Sequence, residues 1–381
     1  MQLVVFGLSV SSSWGNGHAT LWRGLIAALA RRGHRVVFFE KDLSFYAAHR
    51  DLLELPGGEL VLYSEWADIA SRARLELSQA DVGMVTSYCP DADHATTAVL
   101  DSSAPLKTFY DLDTPVTLDH LSRGLPVAYV GERGLADFDL VLSYTGGKAI
   151  DELKLRLGAA HVVPLYGSVD PTVHFPVPPS EELRSDLSYL GTYAADRQDA
   201  LESLFIQPSR VRPDFRFLLG GAQYPESFPW TPNVFFRQHV APVDHPAFYC
   251  SSRITLNVTR KAMAEMGYCP SGRLFEAAAC GVPLLSDYWE GLDQFFSPGD
   301  EIIIGRSPDD TIAALDLTDS ELRSIASKAR ERTLAEHTAD SRALDMELAF
   351  TDALHRRSNA QETSSAFGME QDDRRSTTAT L

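Results

Sequence analysis

Short runs of β-branched and aromatic residues alternate along this chain with stretches whose apolar positions recur every three to four residues. Runs of the first kind fall at 2–8, 35–40, 60–63, 82–86, 107–110, 126–130, 139–143 and 161–164. After the first of them, Leu21, Leu25, Ala28, Leu29 and Ala30 share one helical face. That helix is expected to end at "ARRGHRV", where Gly33 suits a left-handed C-terminal position. Strand–helix alternation of this kind predicts parallel α/β architecture. The pattern breaks at "PLYGSVDPTVHFPVPPSEELRSD", where five prolines fall between 164 and 179. It then restarts with "DLSYLGTYAADRQDALESLF", followed by strand-like "FRFLLGGAQ", "NVFFRQHV", "RITLNVT" and "GVPLLSD". The expected organisation is an N-terminal domain over 1–165, a linker over 166–185 and a second domain over 186–337. A helix over 338–357 is placed to pack back on the first domain. The polar stretch 358–381 is expected to be disordered.

Bulk properties narrow the picture. At 381 residues the chain exceeds what one growing core usually serves, which agrees with two domains. Hydrophobic residues make up 44% and charged residues 23%, enough apolar surface for substantial cores. A formal charge of −18 argues against nucleic acid or an anionic membrane surface as a partner. No apolar run approaches the ~20 residues of a membrane span, and "MQLVVFGLSV" lacks the basic start of a signal peptide. Cys89, Cys250, Cys269 and Cys280 show no CxxC pairing. They read as reduced thiols of a cytoplasmic protein and argue against a zinc site.

Two stretches carry candidate chemistry. In "SSSWGNGHAT", between the first strand and first helix, Gly15 and Gly17 together with Glu40 approximate a dinucleotide fingerprint. Thr20, however, stands where that fingerprint needs a third small residue. In "PSGRLFEAAACG", Ser271 is the expected cap of a helix that Gly281 stops. Its free N–H groups suit a diphosphate, Arg273 adds a forked grip, and Glu276 one turn on can accept from a ribose diol. Asn257, Thr259, Arg260 and Lys261 follow the strand "RITLNVT" at its carboxyl end, where open α/β sheets bind ligands. Gly191 and Thr192, with Arg197 behind them, make a similar turn out of "DLSYL".

The stretch "RLFEAAACGVPLLSDYWEGLDQFFSPGDEI" resembles the C-terminal nucleotide-sugar domain of GT-B glycosyltransferases, nearest to the branch named after the spore maturation protein CgeB. "RGLIAALARRGHRVVFFEKD" and "VVPLYGSVDPTVHFP" resemble that fold's first helix and strand and its interdomain linker. The resemblance implies an α/β protein of two Rossmann-like, doubly wound domains facing across a cleft, with the donor on the second. In related retaining enzymes a glutamate heading an "EAxAxGxPV" run contacts the donor ribose, and Glu276 matches it. Their second glutamate, eight residues earlier, is here Tyr268, which leaves stereochemistry open. Several inverting members place a histidine after the first strand, often as a glycine–histidine pair, and Gly17-His18 matches. His18 is thus the expected general base, imidazole titrating near roughly pH 6.5.

Asp113, in "FYDLDTPVTL", is read as a second catalytic or acceptor-binding group, with helix capping as its structural alternative. Asp111 and Asp113 have the spacing of a metal-binding DxD, but such an ion needs donor phosphates beside it, and these acids lie in the other domain. His239 and His245 are expected near the cleft and His34 in a structural role. Gly15, Asn16 and Gly17 become a cleft loop close to the transferred sugar. The expected activity is metal- and cofactor-independent transfer of a sugar from a UDP-, GDP- or dTDP-sugar to an unidentified acceptor. Alternatives are an epimerase of the same fold, a non-catalytic sugar-nucleotide-binding protein and, last, an NAD-dependent dehydrogenase.

Overall fold

The computed structural model describes the backbone of residues 1–377 and the side chains of residues 1–359. β1 (Gln2–Gly7), β2 (Arg35–Lys41), β3 (Glu59–Tyr63), β4 (Val82–Thr86), β5 (Leu106–Asp111), β6 (Leu140–Ser143) and β7 (Val162–Pro164) form a sheet of order β3-β2-β1-β4-β5-β6-β7. Every pairing in it is parallel. A parallel sheet is covered on both faces, which is why β1 and β4 read as unbroken apolar runs rather than alternating ones. One face packs Leu3, Val5, Leu25 and Ile26, the other Val4, Phe6, Leu77 and Val99.

The second sheet has the order β10-β9-β8-β11-β12-β13, again wholly parallel. Its strands are β8 (Ser185–Leu190), β9 (Phe217–Gly221), β10 (Val234–Gln238), β11 (Ser252–Asn257), β12 (Leu284–Ser286) and β13 (Ile303–Ile304). In each sheet the order reverses beside the first strand, between β1 and β4 and between β8 and β11. Such reversals open a crevice at the carboxyl edge.

Residues 126–130 form no strand. Pro126 removes a ladder donor, and the segment instead crosses one face of the first sheet, burying Val127 and Tyr129 against it. Its apolar spacing reflected that cover. Tyr129 is anchored through its hydroxyl, 2.8 Å from Thr117 Oγ1.

Six helices matter for the site: α1 (Gly17–Arg31), α2 (Thr114–Ser122), α3 (His245–Cys250), α4 (Gly272–Ala279), α5 (Asp319–Glu336) and α6 (Ala339–Thr377). α5 packs on α4, whereas α6 crosses to the first domain. There Ala343, Met346 and Phe350 join the core of Trp22 and Leu25, and Arg31 and Arg32 pair with Asp340 and Glu347. The helical backbone continues to Thr377 through residues expected to be disordered; 378–381 lie outside the described residues. His34 has its structural role, set between the N-terminal amine and Glu347. No helix among the described residues is long and apolar enough to cross a membrane.

The turn from α5 to α6 rests on His337. Its ring lies among Phe275, Phe295 and Phe296, and Arg342 Nη2 donates to its Nδ1 at 2.8 Å. Burial, reinforced by the Arg342 charge, holds this imidazole down at about 4. Because the folded value lies below the unfolded one, its contribution is complete above roughly pH 6.5 and is lost as pH falls toward 4. Denaturant melts should therefore lose up to about 3 kcal/mol from this group between pH 7 and 4. A His337→Gln variant, less stable at pH 7, should show a flatter profile over that window.

Candidate active site

The carboxyl edges of the two sheets face each other across a cleft of about 520 Å³. From the first domain it is lined by Gly15, Asn16, Gly17, His18, Tyr88 and Asp113; from the second by Gly191, Thr192, Arg197, Arg260, Arg273 and Glu276. Most sequence-predicted residues therefore meet in one place. Two do not line it. Lys261 points away, its side chain 71% exposed beside Glu265. Asn257 lies beneath the wall, where its Oδ1 accepts from Arg273 Nη1 at 3.0 Å and its Nδ2 donates to Ser286. Asn257 thus aims a guanidinium.

On the first domain, the loop after β1 is built around Glu40. Its carboxylate, fully buried at the end of β2, accepts from Ser9 Oγ, Val10 N, Ser11 N and Ser11 Oγ at 2.6–2.9 Å. Both oxygens are engaged, so Glu40 holds protein backbone and is not free to bind a ribose. Asn16 continues the loop by donating to the Ser9 and Ser12 carbonyls and accepting from His18 N as the cap of α1.

These bonds set His18 opposite Asp113, Nε2 to Oδ2 at 3.3 Å. Asp113 occupies the cap position of α2 but its side chain makes no cap bond, which removes the capping alternative. His18 Nδ1 is buried without a partner. Asp111 does not line the cleft: it is buried, accepting from Thr117 Oγ1 and Asp113 N, and burial pushes its carboxyl up to about 6 despite those bonds.

The second domain supplies positive charge. Arg273, in the first turn of α4, has its guanidinium 5.2 Å over the Tyr189 ring. Arg197 donates to the Thr192 carbonyl, and its Nε has no partner. Burial lowers its pKa from the ordinary guanidinium value, with Arg273 and Arg260 adding to the effect. Arg260 pairs with Asp196 at 3.1 Å, but among the described residues no carboxylate is paired with Arg197. Ser271 caps nothing with its side chain, though its carbonyl accepts from Leu274 N at 3.0 Å, so the foremost N–H groups of α4, at Gly272 and Arg273, lack a side-chain cap beside Pro270 and Ser271 in the cleft wall. A Cβ on Gly191 would come within 2.7 Å of Tyr189 Oη and 2.9 Å of Arg273 Nη2, so both side-chain ends would have to move aside. The whole surface is suited to an anion with several oxygens.

Glu276 lies deeper. Burial alone would raise its carboxyl; His174, His245 and Arg273 outweigh that and hold it at about 2. Tyr249 Oη donates to it at 3.4 Å. Tyr268 occupies the place of a second acid and, at φ 48°, wedges toward the first domain. Its carbonyl accepts from Gly146 N at 3.0 Å, and a Cβ on Gly147 would meet its ring at 2.3 Å.

His239 and His245 both line the cleft. His239 lies tilted against Trp14, with ring centroids 4.6 Å apart across the two domains. Sequence reasoning missed Tyr88, Tyr249 and His174. Of these, only Tyr88 carried a signal, two residues past the end of β4.

This architecture is the GT-B fold of glycosyltransferases, two parallel sheets facing across a cleft. Residues 197–347 match the model of a family described as glycosyl transferase-like. Among solved structures, sucrose-phosphate synthase from Thermosynechococcus elongatus is similar at a TM-score of 0.66 and 14% identity, over 95% of this chain and 100% of that one. HepE of Anabaena, in complex with UDP-glucose, gives 0.64 and 14%, over 92% and 100%. An alpha-glucosyltransferase in complex with UDP and a 13-mer DNA gives 0.67 and 12%, over 92% and 99%. No curated protein sequence matches the chain.

Removing the buried carboxylate that organises the β1 loop tests this local architecture. Glu40→Ala strands four donors, and urea denaturation is expected to show a loss of about 2–4 kcal/mol. Glu40→Gln, which keeps one accepting oxygen, should lose less.

Proposed function

We propose that this protein transfers a hexose from a nucleotide diphosphate-sugar, in the manner of the CgeB-like branch of GT-B enzymes. The observation that carries the reading is the meeting of an imidazole–carboxylate pair from one sheet with a cluster of partly buried arginines from the other. A donor diphosphate fits between Arg197, Arg273, Arg260 and the open N–H groups of α4. Glu276 accepts from the donor ribose; its low pKa keeps it an acceptor throughout the physiological range.

In this reading His18 removes the proton from an acceptor hydroxyl while Asp113 holds the ring and balances the charge it gains. The acceptor oxygen attacks the anomeric carbon, and the bond to the diphosphate oxygen breaks with its electron pair leaving on phosphate. The fixed guanidiniums meet that charge without reorganising, so the chemistry asks for no metal. A base on the face opposite the leaving group, with Tyr268 in place of the second glutamate, favours direct displacement with inversion. Cleft closure, made through Trp14 and His239, excludes water and so limits donor hydrolysis.

UDP-glucose is the first probe, because a solved structure of similar fold holds it. Glu276→Ala is expected to weaken UDP-glucose binding by about 10- to 100-fold in calorimetry while the chain stays folded; unchanged binding would remove Glu276 from the donor site. His18→Ala is expected to lower kcat by about 10²–10⁴-fold with donor affinity retained. Turnover close to that of the native protein would remove it as the base.

A further inference from the structure

Beside the cleft wall, three ligand-type atoms converge from separate parts of the chain. His174 lies in the proline-rich segment between the domains, 1% exposed. His245 is the first residue of α3, and Glu276 lies one turn into α4, both side chains 13% exposed. His174 Nε2 is 3.3 Å from His245 Nδ1, which is 3.6 Å from Glu276 Oε2. The three donor atoms all fall within 4.8 Å of one another.

Donors held about 2.0–2.1 Å from a tetrahedral ion stand roughly 3.3 Å apart, so the spacing fits a single ion between them. His245 Nε2 faces the Val240 carbonyl at 3.2 Å. Donating there fixes the tautomer and turns the Nδ1 lone pair inward, as the outer hydrogen bond of a metal-bound histidine does. In that tautomer Nδ1 faces the Glu276 oxygen at 3.6 Å, acceptor against acceptor, with His174 Nε2 beside both, so a cation seated among them could take a lone pair from each. Two imidazoles and a carboxylate suit Zn²⁺ and its first-row neighbours; Mg²⁺, which prefers oxygen, suits the set poorly.

We propose that His174, His245 and Glu276 form a zinc-class cation site whose occupation takes Glu276 away from the nucleotide donor. The site itself stands on these distances, whereas the coupling rests on the donor reading of Glu276 above. Three protein donors leave a fourth position for water, and Glu276 and His245 both reach the cleft. A bound ion also ties the interdomain segment to α3 and α4. Metal and donor would then compete for one carboxylate, making the ion a brake on transfer.

The test is titration of untagged, metal-free full-length protein with Co²⁺, read by tetrahedral d–d absorption, and with Zn²⁺ by competition. One equivalent is expected. His174→Ala and His245→Ala should abolish stoichiometric uptake, while Cys250→Ser and Cys280→Ser, which remove the thiols at the ends of α3 and α4, should retain it. Circular dichroism confirms that each variant is folded. Saturating Zn²⁺ should weaken UDP-glucose binding by about tenfold or more in the native chain and leave the affinity of His174→Ala unchanged. Absence of uptake, or uptake that survives both histidine substitutions, would overturn the site. Uptake with UDP-glucose affinity indifferent to Zn²⁺ would overturn the coupling. Should Glu276→Ala lose Co²⁺ yet keep UDP-glucose, the donor reading fails and the cation site stands.

Discussion

A parallel sheet delivers every strand to the same edge, and the rest of this molecule follows from having two such edges face each other. Each crossover brings the chain back beneath the sheet, so only the loops leaving strand ends can reach the opposite domain. Side chains with no use in a core collect there: a histidine and an aspartate on one edge, arginines and a glutamate on the other. The reversal of strand order in each sheet leaves room between them. Chemistry at this edge thus demands little from the cores, which can remain dense and apolar.

That edge is held under tension in two ways. Arg197 and Arg273 are partly buried, Arg197 without a paired carboxylate among the described residues and Arg273 with Glu276 nearby, an arrangement that leaves Arg197 the freer to meet an anion. Among the described residues, the four non-glycine positions with left-handed backbone are Tyr88, Gln223, His239 and Tyr268. Tyr88 and His239 line the cleft, Gln223 faces Gly15 across it, and Tyr268 wedges between the domains. Backbone strain gathered at one boundary indicates a surface shaped for contact, since nothing in the cores requires it.

Much of this was legible in sequence because it depends on local rules. The β1–loop–α1 unit, the open start of α4 and the strand-end positions of Gly191 and Arg260 follow from periodicity and glycine placement. What was hidden depends on distant contacts. Glu40 carried no readable duty beyond completing an approximate dinucleotide fingerprint, because its engagement by Ser9–Ser11 becomes visible only when β1 and β2 pair. Residues 126–130 have the spacing of a strand because they cover a sheet. Lys261 stands one residue beyond the edge, and a helix starting there turns it outward. His174 carried no signal at all, sitting in a stretch whose prolines announced only a break in pattern.

The chain passes between its two halves twice, once near Val169 and again near Thr338, and the passages are bridged to each other: Val169 N donates to the His337 carbonyl and Ala339 N to that of Val169. A single crossing would leave the halves free to swing and twist like weights on a string. Two crossings stitched together make a seam, so that the halves are joined along a line and not at a point. Whatever groups one half presents to the cleft keep a fixed edge against those of the other.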